Sequence, residues 1–307
     1  MHSLPVVARW LCTSTLALPL LACTGDGTLQ RPEAAPGGSE GSPPAALAPG
    51  ATPEPAGASA PATTPGNEPP ASDDIGPFRL AWQDDFDTLD LTRWQLMTHS
   101  WDTNLAQFST ENARVQDGVL QLALTSAAND AVKPFRGVEL RSRQTLTYGK
   151  VEARLRFARG SGVVSSLVLI YTPWPADDWN ELDIEFLGRY SDRVQFNAMV
   201  YLGPPVTPPA TQSVSPTPDP QLVSLPFDPA ADFHVFAIEW TPEGAGFRVD
   251  GVLQHTWTAE IDRLQLPQNI LLTIWASSST EWAGALAPDT APVTADYDWI
   301  RVYDYVP

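Results

Sequence analysis

The chain changes rhythm at Phe78. Before it, from Thr24 to Pro77, Ala, Pro, Gly, Ser and Thr follow one another with almost no large apolar side chain. Such a segment cannot bury enough surface to offset its chain entropy, so residues 23–77 are expected to form a disordered, partly extended tether. After it come short alternating runs: FRLAWQDDF, GVLQLALTS, GVELRSRQTLTYGKVEARLRFA, VVSSLVLIYT, ELDIEFLG, RVQFNAMVYL, FHVFAIEW, GFRVDGVLQHTW, NILLTIWAS and DYDWIRVYDY, separated by turn signals such as QDG, RGSG and VDG. Period-two alternation sends successive side chains to opposite faces, so these runs are predicted strands. Asp250-Gly251 between two alternating arms predicts a tight hairpin. No helical period of three or four turns interrupts them. Many short strands over about 230 residues predict an all-β antiparallel sandwich of two large curved sheets. Residues 203–229 break the pattern: too proline-rich for a central strand, they read as a long surface loop or an inserted segment.

One strand carries an unusual set of charges. In WNELDIEFLG, residues 179–188, Glu181, Asp183 and Glu185 alternate with Leu182, Ile184 and Phe186, so the acids share one face. A solvated polar face is one explanation, and three carboxylates holding a hard cation another. Retaining glycoside hydrolysis is a third, and it needs two carboxyl groups about 5 to 5.5 Å apart, one as nucleophile and one as acid then base. The Cα atoms of Glu181 and Glu185 would lie roughly 13 Å apart on a flat strand at ~3.3 Å per residue, so this reading requires a concave sheet. Asp183 between them would couple the titrations, holding one Glu ionised and the other protonated.

Composition narrows the partners. The chain has 307 residues with 36 acidic against 18 basic, a net charge of −18, which argues against nucleic acid and anionic membranes as partners. Eleven Trp supply flat apolar faces suited to a core or to stacking on sugar rings. At the N-terminus, Arg9 precedes the apolar run WLCTSTLALPLLA, and Leu20, Leu21, Ala22 and Cys23 stand in lipobox order. Residues 1–22 therefore resemble a bacterial lipoprotein signal peptide that leaves Cys23 lipidated, with an ordinary cleaved signal peptide and secretion as the alternative. With Thr24 after Cys23, the outer membrane is the expected location. Cys12 lies in the removed segment, so residues 78–307 are expected to fold without a disulfide.

WNELDIEFLG resembles the E-[LIV]-D-x-E signature of glycoside hydrolase family 16, in particular its lichenase (endo-1,3-1,4-β-glucanase) branch. YGKVEARLRFARGSGVVSSL before it, RVQFN after it, FDPAADFHVFAIEWTP, VDGVLQHTW and ADYDWIRVY extend the likeness from Phe78 to Tyr305. The resemblance implies a concanavalin-like β-jelly-roll with a sugar-binding cleft on the concave sheet. It makes Glu181 the nucleophile, Glu185 the general acid/base and Asp183 the residue that tunes them. Trp179 and Trp275 match cleft aromatics, Glu139 and Arg141 match residues that bond sugar hydroxyls, and Asn197 matches a cleft amide. Each Trp also suits a core, and Glu139 with Arg141 also suits a cross-strand ion pair. His99, His234 and His255 lack ligand spacing and are assigned no catalytic role. Met199 and Thr273 depart from the lichenase pattern, as does Ile170 beside Tyr171, which leaves linkage preference open.

The family commonly carries a structural calcium, and Gly118 and Asp298 match its ligands, although Asp298 would equally cap a turn. No catalytic cofactor is implied. The implied protein is a monomeric, exported endo-β-glucanase cutting 1,3-1,4-β-glucan or a related glucan. A transglycosylase or 1,3-β-glucanase on the same residues, or a non-catalytic carbohydrate-binding surface protein, remain alternatives.

Overall fold

The computed structural model describes residues 74–127, 133–172, 179–201, 220–287 and 289–307. The signal segment, Cys23 and nearly all of the tether lie outside the described residues. In chain order the strands are β1 (Asp74–Ile75), β2 (Phe78–Asp84), β3 (Trp94–Leu96), β4 (Ala106–Phe108), β5 (Ala113–Gln116), β6 (Val119–Ser126), β7 (Phe135–Leu146), β8 (Gly149–Arg156) and β9 (Val163–Ile170). There follow β10 (Trp179–Leu187), β11 (Arg193–Tyr201), β12 (Gln221–Ser224), β13 (His234–Thr241), β14 (Gly244–Val249), β15 (Val252–Trp257), β16 (Gln268–Ala276) and β17 (Val293–Tyr305). A short helix α1 (Thr280–Ala283) sits between β16 and β17. Among the described residues no helix is long and apolar enough to cross a membrane.

The strands form the two curved antiparallel sheets of a concanavalin-like jelly roll. One sheet runs β12, β11, β10, β9, β16, β7, β3. The other runs β15, β14, β13, β8, β17, and β17 is long enough to pair with β6 along its first half and β2 along its second. A parallel pairing of β4 with β7 and the end of β6 against β7 join the sheets along one side. Asp250 and Gly251 both take positive φ, 47° and 77°, as a two-residue mirror-type turn requires, and they join β14 to β15. The proline-rich segment departs from the loop reading at one point. Gln221–Ser224 forms β12, an edge strand that pairs with β11, while 202–219 lie outside the described residues.

The core fixes which way β10 faces. Leu182, Ile184 and Phe186 are fully buried, and burying each contributes about 1.5–3 kcal/mol. Phe186 stacks on Phe157 at 5.3 Å, Phe157 meets Phe236 of the other sheet edge-on at 4.8 Å, and Phe196 of β11 stacks on Phe247 of β14 at 5.1 Å. A one-residue slip of β10 would drive its three acids into that contact, so the register is strongly specified. Gly188 ends the strand at a close approach. A Cβ there would lie 2.5 Å from the Gly160 carbonyl oxygen and 2.8 Å from that of Ala158, and only glycine lets the two segments bond, Gly160 N–H donating to Gly188 O at 3.1 Å.

Candidate active site

Register assembles the site, because residues paired across antiparallel strands project from the same face. Glu185 is opposite Gln195 of β11 and Ser166 of β9; Ser166 is opposite Thr273 of β16, and Thr273 opposite Glu139 of β7. The next row reads Asn197, Asp183, Val168, Leu271, Arg141, and the one after it Met199, Glu181, Ile170, Asn269. The face of this sheet that turns away from the core thus carries Glu181, Asp183, Glu185, Asn197, Glu139 and Arg141, and also Trp275, opposite Val164. These expected positions come together from four strands, β7, β10, β11 and β16.

The three carboxyls have different surroundings. Asp183 is 2% exposed; its Oδ2 accepts from Asn197 Nδ2 at 3.2 Å, and its Oδ1 has no donor. Burial first, and then the neighbouring charge of Glu181, hold the Asp183 carboxyl well above its ordinary range. A protonated Asp183 resolves the orphaned oxygen, since it can donate to Glu181. Glu181 is half-buried. Burial raises its pKa, the hydrogen bond from Asp183 opposes that rise, and the charges of Glu185 and Glu139 add to it. Glu185 is likewise half-buried; burial and then the charge of Asp183 push it up, while a hydrogen bond from Gln195 Nε2 to its Oε2 at 2.9 Å pulls it down. Because Asp183 is the most buried of the three, it is the group in which the shared proton is held.

Around the acids the structure refines several expectations. Glu139 and Arg141 do form an ion pair, but along β7 rather than across strands: Glu139 Oε1 accepts from Arg141 Nε at 3.0 Å and Nη2 at 2.6 Å. His99 Nε2 approaches the other oxygen of Glu139 at 3.4 Å. Trp275 lies on the expected face but is only 9% exposed, with Trp101 packed against it at 5.0 Å and Trp282 at 5.8 Å. The accessible indole here is Trp101, 38% exposed. The Trp179 side chain lies outside the described residues. Asp298 does not cap a turn: its Oδ2 accepts from Arg154 Nη1 at 2.5 Å. Among the described residues no three His, Cys, Asp or Glu side chains are grouped as a metal site. A pocket lined by Trp82, Asp90, Thr92, Arg93 and Gln144 is formed by β2, the segment between β2 and β3, and the end of β7, and the Arg93 guanidinium already covers the Trp82 ring at 4.6 Å.

Gln195, Trp282, Trp101 and His99 were not singled out from sequence as site residues. Gln195 was within reach, since it stands two residues before Asn197 in RVQFN and must share its face. Trp101, Trp282 and His99 lie outside regular strands and are delivered by tertiary packing, so no period marks them.

Residues 101–301 match the sequence profile of glycosyl hydrolases family 16. A protein named Beta-glucanase from Paenibacillus polymyxa is 32% identical over 208 residues, covering 67% of this chain and 77% of that protein. Beta-glucanase from Bacillus subtilis is 35% identical over 185 residues, 60% of this chain and 69% of that protein. Among solved structures, a prokaryotic β-1,3-1,4-glucanase (lichenase) derived from a mouse hindgut metagenome superposes with a TM-score of 0.63 at 30% identity, covering 73% of this chain and 99% of that one. The Rhodothermus marinus laminarinase superposes with a TM-score of 0.62 at 26% identity, covering 75% and 98%.

Proposed function

The chain belongs to glycosyl hydrolases family 16, and from that premise we propose that it is a retaining endo-β-glucanase in which Glu181 is the nucleophile, Glu185 the general acid and then base, and Asp183 the holder of the proton between them. One observation carries the reading: three carboxyls share a face yet have unequal partners, with Glu181 served by the Asp183 proton and Glu185 by the Gln195 amide. Retaining hydrolysis asks for this inequality, an ionised group to attack the anomeric carbon and a protonated one to release the leaving oxygen. Pulling Glu181 and Glu185 toward one glycosidic bond is the work of sheet curvature. A surface that only binds sugar has no use for a buried, protonated Asp183.

The substrate is a β-linked glucan. Its 1,3-1,4 linkage is supported by the likeness to the lichenase; a 1,3-linked glucan is supported by the likeness to the laminarinase and by the apolar Met199 and Ile170 flanking Glu181, which offer no hydrogen bond to a sugar hydroxyl. Transfer to an acceptor sugar would use the same intermediate. Lichenan, barley glucan, laminarin and xyloglucan, each followed by linkage analysis of products with and without added oligosaccharide acceptors, separate these readings. Release of reducing sugar that disappears in Glu181→Gln supports hydrolysis, and binding without turnover on all four removes the enzyme reading.

A structural calcium is proposed at the Gly118 carbonyl and the Asp298 carboxylate. The β17–β6 ladder ends with Tyr297 opposite Leu120, which carries Asp298 to the level of the Asp117-Gly118 turn, although Asp298 already pairs with Arg154. Export and lipidation at Cys23 are proposed from the lipobox order of residues 20–23.

A further inference from the structure

We propose that Trp282 is a positioning residue for Glu185: acting through Gln195, it decides which carboxyl oxygen of Glu185 carries the catalytic proton. The inference rests on the reading of Glu185 as the general acid/base. Trp282 Nε1 donates to Gln195 Oε1 at 2.9 Å, and Gln195 Nε2 donates to Glu185 Oε2 at 2.9 Å.

A primary amide presents an acceptor on one side and donors on the other, and either orientation fits the same shape. An indole N–H can only donate. It therefore faces the oxygen of Gln195, a side chain only 5% exposed, and leaves the NH2 group for Glu185. Oε2 of Glu185 is then an acceptor, and the proton resides on Oε1. Without the indole the amide is free to turn over. Its oxygen would then accept the proton of Glu185 and withhold it from the substrate.

The indole is delivered from a distant element. Its helix, α1, is a single turn, too short to be stable alone, and it is fastened by its neighbours. Arg189 Nη1 donates to the carbonyls of Glu281 at 2.7 Å and Trp282 at 3.2 Å, and Gly162 N–H donates to Ala283 O at 2.8 Å. The Trp282 ring also lies against Trp275. These contacts aim one N–H from the segment after β16 at a side chain on β11.

Protons balance through the two steps. In the first, Glu185 Oε1–H passes its proton to the glycosidic oxygen as the C–O bond breaks and its electron pair stays with the leaving sugar, while a Glu181 oxygen bonds the anomeric carbon. In the second, water attacks that carbon as its bond to the Glu181 oxygen breaks and the electron pair returns to the Glu181 carboxylate; the water gives its proton to Glu185, whose charge the Gln195 N–H has stabilised in the interval.

The test compares leaving groups, because an acid that fails to deliver its proton matters only when the leaving group needs one. Phenyl and dinitrophenyl β-glycosides of a β-1,3-linked glucose disaccharide serve as the poor and activated substrates. In Trp282→Phe the ratio of kcat/KM on the activated over the poor substrate is expected to rise about tenfold above wild type, a part of the ~10²–10⁴ that general acid catalysis supplies. Gln195→Met breaks the same link from the other side, should raise the ratio likewise, and keeps the inference testable if the Trp variant does not fold. Equal losses on both substrates in both variants would overturn the positioning role. Glu185→Ala is the reference arm: if its ratio does not rise, the assignment of Glu185 itself fails, which is distinct from failure of the Trp282 link alone.

Discussion

Replacing Glu181 with Gln should make the protein more stable at alkaline pH while abolishing hydrolysis. Folding moves the Glu181 carboxyl from its ordinary 4.5 up to about 8, with burial as the largest cause. The folded state therefore binds the proton that Glu181 shares with Asp183, and that rests on Asp183, more tightly than the unfolded state does, and stability falls as pH rises through the interval between the two values. At about 1.4 kcal/mol per tenfold change in proton affinity, the whole interval corresponds to about 5 kcal/mol. Water reaching the half-buried Glu181 and the proton shared with Asp183 reduce this to roughly 2 kcal/mol. For a domain of this size that is ~4–8 °C in Tm. Glu181→Gln keeps the shape and removes the ionisation, so calorimetry near pH 8 should show the gain. Near pH 4 the carboxyl is mostly protonated in both states, and the gain should vanish. A gain of equal size at both values would mean that packing, not ionisation, is responsible. No gain at either would refute the claim that the site stores this electrostatic strain.

The back of the same strand offers an opposite perturbation. Phe186→Ala removes a fully buried ring stacked between the sheets and should cost about 3–5 kcal/mol in denaturant unfolding; a loss below 1 kcal/mol, by the same scale, would show that Phe157 and Phe236 repack without it. Calcium at Gly118 and Asp298 predicts a higher Tm on adding CaCl2 to chelator-treated protein, with Asp298→Asn abolishing the rise, and an unchanged Tm removes the site. Lipidation predicts that Cys23→Ala moves the protein from the membrane fraction to the soluble fraction, and identical partitioning of both forms removes the anchor.

The division of labour between sequence and structure follows from how each signal is written. Alternation is local, so the chain alone determined that it is all-β, that Asp250-Gly251 turns a hairpin, and that Glu181, Asp183 and Glu185 share a face; the backbone pleat admits no other arrangement. Of the neighbours of Asp183 and Glu185 on β11, Asn197 was expected from the resemblance, as a match to a cleft amide, and Gln195, two residues before it, was within reach of the same alternation although not singled out. Even β12, inside a segment too rich in proline for the middle of a sheet, satisfies the rule once it is placed at an edge. Tertiary structure alone decided which polar groups would have partners. Register sets Ser166, Thr273 and Glu139 in one row with Glu185, though they come from strands far apart in the chain. It also leaves Asp183 Oδ1 without a donor, packs Trp275 beneath Trp101, pairs Asp298 with Arg154, and aims the Trp282 indole at Gln195. No period in the sequence marks such contacts, because each depends on how two sheets and the loops between them close in space.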